Sequence, residues 1–322
     1  MSGPDVIPER TSHRIITVAA GQAAQRLDAF LVKELPELSR SQVQRLIREG
    51  YIVVNQKTVK AGYRLRPADV VSIRVPPRPD LTLSAEAIPL QIVYEDDYLI
   101  VVDKPAGMVV HSGAGVRSGT LVNALLHRFG SLSQIDAARP GIVHRLDKLT
   151  SGLILVAKND RTHRALSEVF KSRRIRKEYM ALVYGSFPHD SGTIDVAIGR
   201  DPRDRKKMSP RARHGRAAVT HYSVIKRLAG FTLLRVRLET GRTHQIRVHF
   251  HHLQHPVVGD NLYGAAAVRS VREAAKRSAI EELGRYFLHA ECLEFMHPDT
   301  GQTLHLTSPL PMELEKILTV LK

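Results

Sequence analysis

Hydrophobic residues near the start of the chain recur every three to four positions in two successive stretches. This spacing predicts two short helices, because residues three and four apart lie on one face of a helix. Short runs rich in β-branched residues flank the helices and predict small strands. The helices are predicted at Leu27–Leu35 and Val43–Ile47, and the strands at Ile15–Ala19, Tyr51–Val54 and Val70–Val75.

The stretch Pro76–Leu83 is rich in proline and polar residues, and we interpret it as a linker. After it, strand-like and helix-like patterns mix without the strict alternation of a parallel sheet. They predict an α+β domain around a mixed, largely antiparallel sheet. Its strands are predicted at Tyr98–Val102, Gly152–Ala157, Tyr179–Val183, Ala217–Lys226 and Thr232–Leu238, and its helices at Leu121–Phe129, Arg161–Phe170 and Pro311–Leu321.

These elements predict a chain of two domains, which its length of 322 residues also favours. We expect an N-terminal extension over residues 1–24 and a small domain over 25–76. A linker over 77–87 then leads into the larger domain over 88–322.

The charge of the chain is strongly positive, with 48 Lys and Arg against 32 Asp and Glu and a formal net charge of +16. An excess of this size favours a polyanionic partner, since neutralising phosphates releases their counterions. A membrane surface is the competing explanation. No apolar run reaches the roughly 20 residues of a transmembrane helix, and the N-terminus lacks the apolar segment of a signal peptide. We therefore expect a nucleic-acid-binding protein.

The single cysteine, Cys292, rules out an internal disulfide framework and fits a reducing compartment. Together with the missing signal peptide, it leads us to expect a cytoplasmic protein. We take a monomer as the default state.

The segment His144–Lys158, HRLDKLTSGLILVAK, is the strongest candidate for chemistry. It places Asp147 directly before a Thr-Ser-Gly turn and an apolar run, and a turn at a strand end can present one reactive side chain to a cleft. Taken alone, such an aspartate more often caps backbone amides or pairs with a neighbour such as Arg145. Two later stretches, KEYMALVYG at Lys177–Gly185 and GRTHQIRVHF at Gly241–Phe250, add a tyrosine and two arginines.

In this order, HRLD, TSGL, KEY and GRTHQIR resemble the RluA-type family of RNA pseudouridine synthases, and within it the large-subunit ribosomal synthase D group. The resemblance implies that uridine in RNA is isomerised to pseudouridine. The N1–C1′ bond breaks, the uracil turns, and C5 bonds to the same sugar carbon. Because this reaction is redox-neutral and consumes no water, we expect neither a cofactor nor a metal.

The resemblance also implies roles for individual residues. Asp147 matches the catalytic aspartate, either as a nucleophile at C1′ or as a base for the 2′ proton. Tyr179 matches the tyrosine that stacks against uracil and is a candidate for taking the C5 proton. Arg242 matches the arginine that pairs with the aspartate, and its planar guanidinium suits that role. Arg247 is the competing arginine, which we expect to meet phosphate or structure.

The target uridine must leave its stack before the reaction, so a flipping residue is expected. Arg145 and His144 are the candidates, with a phosphate contact as the alternative for Arg145 and a structural role for His144. Leu288, in the FLHA block, is expected near the uracil, with an ordinary core position as the alternative.

Two basic regions are expected to contact RNA. The residues 25–76 resemble an S4 RNA-binding domain through RLD at Arg26–Asp28, SRS at Ser39–Ser41 and GYIVVN at Gly50–Asn55. Residues 203–216 carry seven basic residues against one acid and are interpreted as a loop along the RNA backbone, the alternative being a solvated charge run. From these regions we single out Arg40, Arg45, Arg205, Lys206 and Lys207.

Two other classes of function stay open at this point. A non-catalytic RNA-binding or ribosome-assembly factor would use the same charge and the same S4-like segment. A metal-dependent RNA hydrolase would use the histidines of residues 244–255, but no HExxH or Cys-His pattern surrounds them.

Overall fold

In a computed structural model, the chain is described over residues 12–35, 38, 40–75, 83–113, 115–204, 206–210, 212 and 214–322. It separates into two compact units between Leu81 and Thr82. This boundary falls inside the predicted linker. In the described part of the chain, no helix is both long and apolar enough to cross a bilayer.

The first unit packs two helices against a three-stranded antiparallel sheet. Leu27, Phe30 and Leu31 of the first helix meet Val43, Leu46 and Ile47 of the second in one buried cluster, as the three-to-four spacing predicts. Its elements are β1 (Ser12–Thr17), a 3₁₀ turn (Ala20–Gln22), α1 (Leu27–Glu34), α2 (Arg40–Arg48), β2 (Ile52–Val54) and β3 (Val70–Val75). The sheet order is β1-β3-β2.

Strand β1 corrects the predicted N-terminal extension of residues 1–24. Its residues Ser12–Thr17 pair antiparallel with Val70–Val75, so the described part of that segment belongs to the first unit. Without β1, one edge of β3 would present unpaired backbone groups, and pairing removes that cost.

The second unit contains the remaining elements. They are β4 (Gln91–Glu95), β5 (Leu99–Lys104), α3 (Leu121–Phe129), β6 (Ser151–Ala157), α4 (Asp160–Lys171), β7 (Ile175–Tyr184), β8 (Ser191–Asp195), β9 (Gly199–Arg200), β10 (Met208–Ser209), β11 (Val219–Leu228), β12 (Phe231–Leu238), α5 (Gln245–His252), a 3₁₀ turn (Ala267–Ser270), α6 (Ala274–Glu282), β13 (Leu288–Met296), β14 (Thr303–Thr307) and α7 (Met312–Val320).

One large sheet organises this unit, in the order β4-β5-β6-β13-β7-β12-β11-β8, with β14 also paired to β13. All its pairs are antiparallel except β6 with β13, where Ser151 and Gly152 lie opposite His289 and Ala290. The predicted α+β class with a mixed, largely antiparallel sheet is confirmed.

Alternate residues along the strands face opposite layers. Ile154 and Val156 of β6 pack in the cluster that includes α3 and α5, whereas Leu153 and Leu155 pack with α4. Because β6 is covered on both sides, all seven of its residues are buried. The turn before this central strand is therefore held against a rigid core.

Candidate active site

The turn that carries Asp147 is fixed from below by Lys104. The Lys104 ammonium is fully buried and donates to the carbonyl oxygens of Pro105 (2.7 Å), Met108 (3.0 Å) and Lys148 (3.3 Å). The Gly107 amide donates to the same Lys148 carbonyl at 2.8 Å. Burial, with the nearby Arg285 charge adding to it, lowers the pKa of Lys104 to about 7. Asp147 thus sits on a backbone held at several points.

Gly152 allows β6 to approach β13 directly after this turn. Its φ of +106° is open to glycine but strained for other residues. A Cβ there would also lie 2.7 Å from the backbone nitrogen of Ala290. The glycine of the TSGL motif is therefore required by the one parallel pairing in the sheet.

Asp147 makes its main contact with Arg247 of α5. Arg247 donates through Nη1 to Asp147 Oδ2 at 3.1 Å, and the Tyr286 hydroxyl donates to the same oxygen at 3.4 Å. His244 Nε2 lies 3.9 Å from it. Asp147 Oδ1 accepts no hydrogen bond from any described residue, so one oxygen of the carboxylate is free to meet a ligand.

Asp260 holds Arg247 in this position. Asp260 Oδ2 accepts from Nε at 2.6 Å and Oδ1 from Nη2 at 3.0 Å, which is a bidentate contact in a buried setting. The guanidinium carbon also lies 4.3 Å from the ring centroid of Tyr286. Although burial alone would lower it, the hydrogen bond to Asp260 raises the pKa of Arg247 above its ordinary value. Arg247 therefore presents a fixed positive charge to Asp147.

The structure corrects the predicted pairing of Arg242 with Asp147. Arg242 Nε donates to the Ala217 carbonyl oxygen at 3.1 Å, and its backbone amide donates to Gln245 Oε1 at 3.0 Å. Arg242 precedes α5, whereas Arg247 lies within that helix, whose residues 245–250 are all buried. The position of α5 in the interior therefore brings the Arg247 guanidinium to the carboxylate.

Five of the predicted residues line one small cavity of about 70 Å³, namely Arg145, Asp147, Tyr179, Arg242 and Leu288. Tyr179 and Leu288 are buried. Burial, reinforced by the Asp147 charge, raises the pKa of Tyr179 above its ordinary value, so its hydroxyl stays protonated at neutral pH. The cavity thus combines one carboxylate, one fixed cation and an aromatic ring.

Arg145 and His144 differ in their surroundings, although both were candidates for base flipping. Arg145 is exposed and makes no hydrogen bond or ion pair with a described residue. His144 Nε2 accepts from the Leu155 amide at 2.8 Å, and its ring stacks on Phe170 at 4.7 Å. Burial, with the Lys177 charge adding to it, lowers the pKa of His144 to about 3. His144 thus makes the contacts expected of the structural alternative, while its RNA-binding role stays a prediction.

The residues predicted to contact RNA in the basic regions lie partly exposed. Arg40 donates to the buried Asp28 at 3.0 Å and Arg45 lies 4.0 Å from Glu49, yet both side chains stay more than half exposed. Lys206 is exposed and Lys207 is half-buried, while Arg205 falls outside the described residues. These cations are accessible on the surfaces of their own units.

Three of the histidines in residues 244–255 contact protein groups. His244 Nδ1 lies 2.8 Å from the Tyr263 hydroxyl, His249 Nδ1 lies 2.9 Å from Thr220 Oγ1, and His255 Nδ1 lies 2.7 Å from the Tyr184 carbonyl. Across the described ranges, no group of three or more His, Cys, Asp or Glu residues is placed to hold a metal ion.

Sequence reasoning did not find two residues of this site. Asp260 closely follows the apolar pair Val257 and Val258, which is the only hint in the sequence that this carboxylate is buried. Tyr286 directly precedes Phe287 and Leu288, and within this block only the leucine is predicted to lie near the uracil. Neither residue belongs to a motif whose spacing predicts a contact with Asp147.

Comparisons with known proteins show the family to which the chain belongs. A family model described as RNA pseudouridylate synthase matches residues 98–252, and one described as S4 domain matches residues 25–71. An uncharacterized RNA pseudouridine synthase of Bacillus subtilis (strain 168) is 43% identical over 308 residues, covering 95% of this chain and 97% of its own length.

A ribosomal large subunit pseudouridine synthase D of Xanthomonas campestris pv. campestris is 42% identical over 325 residues, covering 100% of this chain and 96% of its own length. The solved structure of human RNA pseudouridylate synthase domain containing 1 is similar with a TM-score of 0.56 at 28% identity, covering 72% of this chain and 89% of its own.

Proposed function

Because the chain belongs to the RNA pseudouridine synthase family, we propose that it isomerises specific uridines of large-subunit ribosomal RNA with Asp147 as the catalytic carboxylate. The family makes the protein an isomerase. The choice of ribosomal RNA rests on relatives named as large-subunit ribosomal synthases. The observation that carries the catalytic assignment is the Asp147–Arg247 contact beside a cavity lined by Tyr179.

Asp147 acts at the sugar of the target uridine. The N1–C1′ bond breaks, the uracil turns, and C5 bonds to C1′, while C5 loses a proton and N1 gains one. Asp147 either attacks C1′ as a nucleophile or removes the 2′ proton as a base. Both routes use a carboxylate oxygen that meets the sugar, and the free Oδ1 suits this role because Oδ2 is engaged by Arg247 and Tyr286.

Tyr179 supplies the platform on which the uracil turns. Its ring lines the same cavity as Asp147, and an aromatic face supports a base without fixing its rotation. Leu288 closes the cavity from β13 with an apolar contact. The raised pKa of the Tyr179 hydroxyl favours a role in stacking over one as a base.

Arg145 enters the space that the flipped uridine leaves, or holds the phosphate beside it. Its exposed guanidinium lines the catalytic cavity and makes no hydrogen bond with a described residue, so it is free to change position when RNA binds. The S4 domain adds exposed cations for the RNA backbone. We propose that the protein acts as a monomer in the cytoplasm.

The test compares purified wild-type protein with Asp147→Asn on unmodified transcripts of large-subunit ribosomal RNA and of transfer RNA, labelled with tritium at uridine C5. Wild type is expected to release tritium from the ribosomal transcript, because C5 loses its hydrogen in the reaction. Asp147→Asn should still bind RNA but release none. Mapping of pseudouridine in cells that carry either gene copy then gives the target positions.

Asp97→Asn is the matched control, since it makes the same change in an exposed carboxylate at the β4–β5 turn. It should keep full activity. Release from transfer RNA alone would overturn the ribosomal substrate. RNA binding by wild type without any product would instead favour the assembly-factor function.

A further inference from the structure

A second, larger cavity adjoins the catalytic one. It has a volume of about 460 Å³ and shares Arg145, Tyr179 and Arg242 with the catalytic cavity. Its size is in the range that holds a molecule as large as a nucleotide. We call it the flanking cavity, and its remaining lining includes His144, Phe170, Lys177, Arg173 and Arg216.

Lys177 is the unexplained residue of the flanking cavity. It is only 7% exposed, yet its ammonium makes no hydrogen bond or ion pair with a described residue. The Lys177 Nζ atom lies 5.7 Å from the centroid of the Phe170 ring. The side chain is buried while its ammonium reaches the flanking cavity, and burial lowers the pKa of Lys177 to about 8. An ammonium at this cavity without a partner among the described residues indicates a ligand that accepts a hydrogen bond from it.

The position of Lys177 on β7 would bring a bound nucleotide next to the target uridine. It precedes Tyr179 by two positions on β7, where the burial pattern alternates, so both side chains leave the same face of the strand. Two positions along a strand span about 6.7 Å. A ligand at Lys177 is therefore an immediate neighbour of a uracil on Tyr179.

The walls of the flanking cavity match a single nucleotide. His144 and Phe170 stack in the cavity wall and offer aromatic surface to a base. Arg173 and Arg216 are exposed, as expected for groups that meet a phosphate track. Glu239 is the carboxylate among the described lining residues, and it is engaged by His221 at 2.7 Å and Arg173 at 3.1 Å.

We propose that the flanking cavity receives the nucleotide adjacent to the target uridine, with Lys177 donating to a carbonyl oxygen of its base. This inference rests on the proposed function. An ammonium has donors but no acceptor, so at that edge of the base it selects guanine O6 or uracil O4 over adenine and cytosine, which carry an amino group there. Lys177 is thus a residue that determines sequence specificity.

The test uses a synthetic RNA pool with a fixed central uridine and random neighbours. Asp147→Asn protein, which is expected to bind RNA without converting uridine, is used to select binders from the pool. Sequencing of the selected RNA gives the base preference at each neighbouring position. One position is expected to favour guanine or uracil over adenine by about 10- to 150-fold, the range of a charge-assisted hydrogen bond. The additional change Lys177→Met should bring this ratio close to one.

Lys226→Met, made in the same background, removes an equal charge from an exposed position on β11 and should leave the preference intact. Lys177→Met is expected to unfold at the same temperature as the parent or higher, because a largely buried side chain loses a cation that has no partner among the described residues. The preference can also be tested without a lysine variant, by replacing the favoured base with an analogue that lacks the carbonyl oxygen.

Two outcomes would overturn the inference: a pool without preference at either neighbour, or a preference that survives Lys177→Met. Failure of the proposed function gives a different result. A Lys177-dependent preference in binding, in a wild-type protein that converts no uridine, would remove the proposed reaction and leave the nucleotide site standing.

Discussion

Arg247 contacts two carboxylates that are far apart in the sequence, Asp147 100 positions before it and Asp260 13 positions after it. The contact with Asp260 uses two nitrogens and fixes the plane of the guanidinium, while the remaining nitrogen meets Asp147. A lysine would have one ammonium for both carboxylates and could not keep this arrangement.

Arg247→Lys is therefore expected to lower kcat/KM by about 10- to 150-fold, the loss of one charged hydrogen bond at the catalytic carboxylate. Arg242→Lys should lower it much less, since Arg242 bonds a backbone carbonyl instead. Tritium release from uridine C5 under single-turnover conditions measures both. A larger loss from Arg242→Lys would show that the guanidinium on α5 is not the partner of Asp147 during the reaction.

For individual residues, the sequence predicted which ones line the cavity but not which hydrogen bonds they make. Asp147, Tyr179 and Leu288 come from separate motifs and do line one cavity. Which of the two arginines contacts Asp147 depends on where α5 begins. His244, which caps the helix before its first residue Gln245, has a left-handed conformation with φ of 57°. No periodic pattern in GRTHQIRVHF marks that position, so the wrong arginine was paired.

Two elements that hold the catalytic turn, β6 and β13, form the one parallel strand pair among the described strands of the large sheet. Gly152 is the point of closest approach, because its Cα faces the backbone of Ala290. By contrast, Gly107 also has a positive φ, of +90°, but a Cβ there would meet nothing within 4 Å. A comparison of these two glycines therefore separates the effect of crowding on stability from the effect of backbone strain.

Gly152→Ala is expected to destabilise the protein by about 2–6 kcal/mol, combining strain with overpacking. Gly107→Ala should cost only the strain, about 1–2 kcal/mol. Calorimetric unfolding of both variants gives the comparison. Equal losses would mean that β13 moves away from β6 at little cost.

His144 connects α4 to β6 through Phe170 and the Leu155 amide. Its pKa is lowered from the usual 6.5 to about 3, so the folded state binds fewer protons than the unfolded state between these values. The stabilisation is therefore complete above about pH 6.5 and declines as the pH falls towards 3.

His144→Gln should make the fall in unfolding free energy below pH 6.5 shallower, by up to about 1.4 kcal/mol per pH unit. Glutamine keeps an acceptor for Leu155 but does not titrate. Denaturant unfolding at several pH values measures the slope. His189→Gln, at an exposed histidine, should leave the wild-type profile unchanged, and a profile equally unchanged in His144→Gln would contradict the prediction.

Elements with strong periodicity were predicted well, as α3 shows over Leu121–Phe129. Strand β13 is absent from the elements predicted from the sequence, although three of its residues belong to the FLHA block. It mixes apolar and charged residues because Glu291 and Glu294 face partly exposed regions near Arg235 and Arg176. Tertiary ion pairs of this kind leave no pattern in a single chain.

The whole molecule carries a net charge of +16, which is distributed over both units. Arg45 and Arg48 of α2 are exposed on the first unit, where an S4 domain matches the sequence. Each phosphate neutralised contributes about 0.7 to 0.9 to the dependence of log affinity on log salt concentration.

The double change Arg45→Gln and Arg48→Gln is expected to lower that slope by about 1.4–1.8 and to weaken binding at low salt. The rate at saturating RNA should stay the same, because neither residue lies in the catalytic unit. Filter binding over a salt series measures the slope. An unchanged slope would place the RNA contacts of the first unit elsewhere.

The position of β13 governs when this protein can begin to work. It lies between β6 and β7 in the sheet, but it is synthesised more than 100 residues after both. Until it emerges from the ribosome, the sheet exists as two separate parts with open edges, which are prone to pair wrongly. Tyr286, just before β13, and Leu288, its first residue, are also synthesised at this late stage. The catalytic cavity is thus assembled late, and a chain still being translated has no complete site with which to modify RNA.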